Sequence, residues 1–231
     1  MSGGLLETVE IAPRASTELA VIWLHGLGAD GHDFEPIVPE LRVRRAVRFV
    51  FPHAPIRPVT INNGLEMRAW YDIVGFDASA EDAAGIRASA AAVTRLIDRE
   101  VERGVPAERI VVAGFSQGGA IALQLGLREP RRLAGVLALS TYLPLAATLA
   151  REKSAVNAAV PIFMAHGSAD PVIPLALADA SRRALEREGY AVDWRVYPMA
   201  HAVCAPEIAA IGAWLDGLAR GSGASGRGEL E

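Results

Sequence analysis

Residues 109–123 read "RIVVAGFSQGGAIAL", and this stretch determines which fold we expect for the rest of the chain. An apolar run typical of a strand leads to Ser116, and an Ala- and Leu-rich run typical of a helix follows it. The pentapeptide GFSQG therefore matches G-x-S-x-G at a strand-to-helix turn. In such a turn the serine backbone is strained, and Gly114 and Gly118 leave out the Cβ atoms that would collide with neighbouring backbone.

The turn predicts a nucleophile because it would hold the Ser116 hydroxyl clear of the carboxyl end of the strand. The amide of Gln117, at the start of the helix, would point to where an oxyanion forms, and the helix dipole would favour that charge. A serine that merely caps the helix is the alternative interpretation. Because a hydroxyl is a weak nucleophile unless a histidine accepts its proton and a carboxylate orients that histidine, the partners decide between the two.

The order of residues along the chain selects these partners. Enzymes with this turn place their residues in the order Ser, then Asp or Glu, then His. Two of the five histidines, His166 and His201, follow Ser116. Asp170 lies just beyond one predicted strand and His201 just beyond the last, so we expect Asp170 to be the acid and His201 the base. Taken singly, a turn aspartate and a surface-loop histidine are the alternatives.

The segment "WLHGLGADGHDF" at 23–34 is the loop after an early predicted strand. Its three glycines allow the backbone to approach a ligand closely, and the amide of Leu27 is the expected second oxyanion donor. His25 and His32 resemble metal ligands, but the sequence offers no convincing third ligand. We therefore expect no metal ion and no cofactor, and we expect His25 to bond within the loop.

Apolar runs alternate with helical patterns along the whole chain. Most of the runs are continuous rather than alternating, which is typical of strands covered by helices on both faces. The pattern predicts an α/β fold with a mostly parallel central sheet and helices on both faces, in a single domain over 1–220 with a flexible tail at 221–231. The predicted strands are 19–25, 47–52, 109–115, 134–140, 161–167 and 192–198, and the predicted helices are 80–103, 117–128, 175–188 and 206–219.

Composition excludes several classes of partner. The net charge is −4 with 22% charged residues, so no basic surplus attracts nucleic acid, and no nucleic-acid motif is present. No stretch approaches 18 uninterrupted apolar residues and no secretion signal is evident, so we expect neither a membrane span nor export. The lone cysteine, Cys204, precludes an internal disulfide and favours a reducing cytoplasm.

Taken together, "HGLGADGHDF", "PHAPIRPVTINNGLEMRAWYDI", "GFSQGGAIAL", "LSTYLP", "HGSADPVIP" and "YPMAHAVC" resemble the phospholipase/carboxylesterase family of the α/β-hydrolases, and most of all its bacterial carboxylesterase branch. The resemblance implies an α/β-hydrolase fold with little or no cap domain and a possible homodimer. It implies the Ser116, Asp170 and His201 triad with the Leu27 and Gln117 amides as the oxyanion hole.

The activity implied by the resemblance is hydrolysis of small-molecule carboxylic esters with short to medium acyl chains. Acyl-protein thioesterase or lysophospholipase activity is the alternative, and a non-catalytic ligand-binding module is the rival from another class. The resemblance also suggests that 52–76 flanks the acyl pocket, with Leu65 and Trp70 lining it. Trp70 fits a core aromatic as well.

Overall fold

A seven-stranded sheet forms the centre of the computed structural model, which describes residues 4–75 and 81–218. The predicted tail at 221–231 lies outside these ranges. The strands are β1 Thr8–Ile11, β2 Leu19–Leu24, β3 Val47–Pro52, β4 Ile56–Val59, β5 Leu65–Arg68, β6 Ile110–Phe115, β7 Gly135–Leu139, β8 Ile162–Gly167 and β9 Val192–Tyr197. The helices are α1 Val38–Leu41, α2 Ala83–Glu102, α3 Gln117–Gly126, α4 Leu149–Glu152, α5 Leu175–Arg187 and α6 Ala205–Gly217.

The order of strands in the sheet is β1-β3-β2-β6-β7-β8-β9. All neighbouring pairs are parallel except β1 with β3, which is antiparallel. The six strands predicted from apolar runs form the parallel part, so the mostly parallel sheet is confirmed. Since β6, β7, β8 and β9 are consecutive and parallel, the loops that follow them lie at one edge of the sheet.

Strand β2 shows why the apolar runs are continuous. Its six residues are all buried. Ala20, Ile22 and Leu24 belong to the core cluster that includes residues of α2, α3 and α5, whereas Leu19 and Trp23 belong to the cluster that includes residues of α1 and α6. Burying a large apolar side chain contributes roughly 1.5–3 kcal/mol. Helices therefore cover both faces, as the sequence predicts.

The Pro- and Asn-rich segment at 52–75, whose composition is typical of a loop, contains a second, two-stranded sheet. Strands β4 and β5 pair antiparallel, and the turn between them places Asn63 and Gly64 at φ values of 56° and 75°. Asn and Gly tolerate this left-handed conformation. The amide of Gly28 donates to the carbonyl of Arg68 at 2.9 Å, so the hairpin is attached to the 23–34 loop.

Candidate active site

The turn between β6 and α3 holds Ser116 at φ 54° and ψ −120°. A Cβ added at Gly114 would lie within 3.0 Å of the backbone of Gly118. One added at Gly118 would lie equally close to the carbonyl oxygens of Leu24 and His25. Because backbone cannot move aside as a flexible side chain can, both positions require glycine, for the steric reason that the sequence suggests.

Hydrogen bonds from neighbouring elements hold this strained residue in place. The Ser116 amide donates to the carbonyl of Leu139 at 2.8 Å. Its carbonyl accepts from the Thr141 hydroxyl at 2.6 Å and from the Ala120 amide at 3.1 Å. The surrounding structure therefore determines the conformation of Ser116, as strained residues at functional sites require.

Three side chains from three loops form a chain of hydrogen bonds. Nε2 of His201, in the loop after β9, lies 2.9 Å from Oγ of Ser116. Nδ1 of His201 lies 2.7 Å from Oδ2 of Asp170, in the loop after β8. An ionised carboxylate only accepts, so Nδ1 carries the proton and Nε2 is free to accept one from the serine hydroxyl. This arrangement can perform nucleophilic catalysis.

The carboxyl group of Asp170 is held in its ionised form. Its side chain is buried, and Oδ1 accepts from the amides of Val172 and Ile173 at 2.8 and 2.9 Å. Burial alone would raise the pKa of Asp170, but the hydrogen bonds from His201 and the two amides outweigh burial and lower it. The carboxylate is therefore charged at neutral pH and orients the imidazole.

The serine and the imidazole open onto a cavity of about 590 Å³. This volume falls within the range of small-molecule sites. Ser116, His201, Leu27 and Gln117 lie on its wall. The wall is otherwise largely apolar, with side chains suited to an acyl chain rather than to a sugar or a phosphate. These apolar residues include Ile61, Ile73, Phe115, Val172 and Ile173.

The two expected oxyanion donors lie on this wall with their amides available. No group in the described part of the chain accepts a hydrogen bond from the amide of Leu27 or Gln117.

The Gln117 side chain has a role that the sequence does not reveal. Its Oε1 accepts from the Trp70 amide at 2.8 Å and its Nε2 donates to the Tyr71 carbonyl at 2.7 Å. It thereby connects the turn that holds Ser116 to the segment that follows the hairpin.

The two expected acyl-pocket residues lie off the cavity wall, so their placement is corrected. Trp70 is fully buried in the core, and its Nε1 donates to the carbonyl of His25 at 2.9 Å. Leu65 pairs with Val59 in the hairpin, and 64% of its surface is exposed. The segment at 52–75 does contribute to the cavity wall, but through other residues, such as Ile61.

His25 forms one hydrogen bond within its loop, as expected, and a second with the segment after β3. Its Nδ1 donates to the carbonyl of Gly26 at 2.7 Å, and its Nε2 accepts from the Ala54 amide at 3.0 Å. Burial lowers its pKa to about 4, so the ring is neutral. Within residues 4–75 and 81–218, no group of three or more His, Cys, Asp or Glu side chains is placed to hold a metal ion. No helix in these ranges is long and apolar enough to cross a membrane.

Comparison with known proteins places this geometry in a family. A family model described as Phospholipase/Carboxylesterase matches residues 7–218. Acyl-protein thioesterase 1 of Neurospora crassa is 45% identical over 203 residues, which cover 83% of this chain and 83% of that protein. Acyl-protein thioesterase 1 of Mycosarcoma maydis is 38% identical over 92% of this chain and 97% of that protein.

A solved structure agrees with these relatives. The crystal structure of Zea mays acyl-protein thioesterase 2 superposes with a TM-score of 0.82 at 30% identity, over 90% of this chain and 97% of that chain. The sheet, its flanking helices and this likeness confirm the expected α/β-hydrolase fold. The chain is a hydrolase and belongs to the phospholipase/carboxylesterase family.

Proposed function

We propose that this protein is a serine hydrolase that cleaves acyl thioesters and esters through an acyl-enzyme on Ser116. The observation that carries the proposal is the chain of hydrogen bonds from Asp170 through His201 to Ser116, which opens onto a largely apolar cavity. The roles of nucleophile, base and acid follow from the direction in which this chain can pass a proton.

In the first half of the reaction, His201 Nε2 accepts the proton of Ser116 as Oγ attacks the acyl carbonyl carbon. The amides of Leu27 and Gln117 stabilise the oxyanion, and Asp170 stabilises the imidazolium. The tetrahedral intermediate collapses as the C–S or C–O bond breaks, and His201 returns the proton to the leaving thiol or alcohol.

In the second half, water takes the place of the leaving group. His201 accepts a proton from water, the hydroxyl attacks the acyl carbon, and the acid departs as Ser116 regains its proton. The oxyanion amides act in both halves, and loss of one such donor costs roughly 10²–10³ in kcat.

Two observations favour the thioester over the short-chain ester as the main substrate. The relatives with 38–45% identity are named acyl-protein thioesterases. The apolar side chains on the cavity wall suit a hydrocarbon chain. A thiol has a pKa of about 8.5, far below that of an alcohol, so the same site expels a thiolate more readily than an alkoxide. We therefore place acyl-protein thioesterase activity ahead of the carboxylesterase activity expected from the sequence.

Matched substrates test this order. The purified protein is assayed with thioesters and oxoesters of the same acyl group, from butanoyl to palmitoyl, and with a lysophospholipid. We expect a higher kcat/KM for the thioester than for the matching oxoester at each chain length. We expect the Ser116→Ala variant to hydrolyse none of these substrates. A higher value for short oxoesters would restore carboxylesterase activity as the main function, and preference for the lysophospholipid would favour lysophospholipase activity.

A covalent probe separates enzyme from binding module. A fluorophosphonate reacts with an activated serine, so we expect it to label the folded wild type at Ser116 and to leave Ser116→Ala unlabelled. An unlabelled wild type with the same fold would support a non-catalytic ligand-binding module.

Three further expectations stay predictions. Light scattering tests the homodimer that the resemblance suggests, and a mass of one 24.5 kDa chain would refute it. Cell fractionation tests the cytoplasmic location. Limited proteolysis tests the single domain over 1–220, which predicts early cleavage only within the tail at 221–231.

A further inference from the structure

A second histidine lies against the acid of the candidate triad. His166 is the penultimate residue of β8, and only 1% of its surface is exposed. Its Nε2 lies 2.8 Å from the carbonyl oxygen of Ile173 and 3.4 Å from Oδ2 of Asp170. The contact with Ile173 is a hydrogen bond. The contact with Asp170 is electrostatic, and its Oδ2 also accepts the hydrogen bond from Nδ1 of His201.

The contacts of the ring determine its protonation state. A carbonyl only accepts, so Nε2 of His166 carries the proton. Nδ1 is buried and has no hydrogen-bond partner in the described part of the chain. The ring stacks beside Trp194 of β9, with centroids 6.4 Å apart and planes inclined by 28°. A second proton on Nδ1 would therefore be a buried, unpaired donor.

The electrostatic surroundings point the same way. Burial lowers the pKa of His166, whereas the hydrogen bond to Ile173 and the charge of Asp170 raise it. His201 lowers it slightly, and the net shift is downward. Asp170 and His201 are the ionisable groups that act on the ring within residues 4–75 and 81–218. The imidazole is therefore neutral at neutral pH, and it presents a dipole rather than a charge.

This N–H acts on Asp170 at both of its oxygens. Through the Ile173 carbonyl it holds the short loop whose Ile173 amide donates to Oδ1. The positive end of its dipole, 3.4 Å from Oδ2, reduces the negative potential that the carboxylate exerts on the imidazole of His201. We propose that His166 is a positioning residue, an uncharged N–H donor that holds the Asp170 loop and limits the charge that Asp170 presents to His201. The proposal rests on the proposed function, since it takes His201 as the base.

Two substitutions separate the N–H group from the volume of the ring. His166→Phe keeps an aromatic ring and removes the donor, whereas His166→Gln keeps a donor near the position of Nε2. The measurement is kcat/KM of each folded variant against pH, with one chromogenic ester. The acid limb of this profile reports the pKa of the base in the free enzyme.

The expected shift has a sign that a purely structural role would not produce. Removing the N–H releases one tie on the Asp170 loop, but Asp170 keeps its two amide donors at Oδ1, so we expect the loss of the dipole to dominate. Asp170 then stabilises the His201 imidazolium more strongly, and His166→Phe should move the acid limb up by about 0.5 pH units. His166→Gln should restore the wild-type profile. If His166 only packed the loop, its loss would loosen Asp170 and move the limb down or leave it in place. Either of these outcomes would overturn the proposal.

A matched control perturbs the same ring without touching its N–H. Trp194→Leu removes the stacking partner of His166 and leaves the contacts of Nε2 intact. We expect an acid limb within about 0.2 pH units of wild type, which is small beside the shift of the Phe variant. An upward shift as large as that of His166→Phe would mean that packing, not the donor, sets the profile.

Nitrogen NMR of the wild type tests the proposal even if His166→Phe fails to fold. We expect the His166 ring to be protonated at Nε2 alone and to stay neutral across the acid limb of the kcat/KM profile. A proton on Nδ1, or charging of His166 in that range, would contradict the proposal. The NMR result stands apart from catalysis: a wild type that hydrolyses no thioester or ester would refute the proposed function, whatever the state of His166.

Discussion

The strained backbone of Ser116 predicts an unusual order of stability for two variants that lack its hydroxyl. Its φ of 54° and ψ of −120° match position i+1 of a type II′ turn, which glycine normally occupies. Ser116→Ala keeps the Cβ that makes this conformation costly, and Ser116→Gly removes it. Both variants lack Oγ, so the lost hydrogen bond to His201 cancels in the comparison.

The magnitude follows from two opposing effects. A non-glycine residue in such a conformation costs on the order of 1–3 kcal/mol. Glycine gains more freedom in the unfolded chain than alanine, which offsets about 0.4–1 kcal/mol. We therefore expect Ser116→Gly to be more stable than Ser116→Ala by about 1 kcal/mol. For a chain of this size, that corresponds to a Tm higher by roughly 2–4 °C.

Thermal and urea denaturation of the two variants measure this difference. The control is Ala88→Gly, at an exposed position inside α2, where the same change from alanine to glycine should destabilise by about 1 kcal/mol. A Ser116→Gly variant that is less stable than Ser116→Ala would show that the turn carries no strain, and the steric explanation of the turn would fail.

Three other changes test the surroundings of the site. Gly118→Ala would place a Cβ against the carbonyls of Leu24 and His25, so we expect a loss of about 2 kcal/mol or more in urea denaturation and a large loss of kcat. Trp70→Phe would leave the buried His25 carbonyl without its 2.9 Å donor, so we expect about 1–3 kcal/mol of destabilisation but an unchanged KM, because the indole lies off the cavity wall. Burial raises the pKa of Glu207 from 4.5 to about 7. Between these two pH values the folded state holds a proton that the unfolded state has lost, so the free energy of unfolding should fall by up to about 3 kcal/mol as pH rises from 4.5 to 7. Glu207→Gln should remove this slope in urea titrations, and a slope that persists would assign it to another group.

Several features could be read from the sequence because they depend on local patterns and on chain order. Continuous apolar runs predict the six parallel strands, since both faces of such strands are covered. The glycines at 114 and 118 indicate the turn. The loops that follow parallel strands lie at the same edge of the sheet. Chain order therefore selects Ser116, Asp170 and His201, and in the structure His201 is within hydrogen-bond distance of each of the other two.

Other features depend on contacts between distant segments, which no local pattern contains. Strand β1 pairs at the edge of the sheet, and the hairpin of β4 and β5 lies within a Pro- and Asn-rich segment whose composition indicates a loop. In that hairpin Leu65 is exposed to solvent. Trp70 is buried in the core, where its indole N–H donates to the buried carbonyl of His25. The contact of His166 with Asp170 arises only when the loop after β8 folds back over its own strand. Motif and chain order predict which groups react, but packing decides which side chains line the cavity and which hold those groups in place.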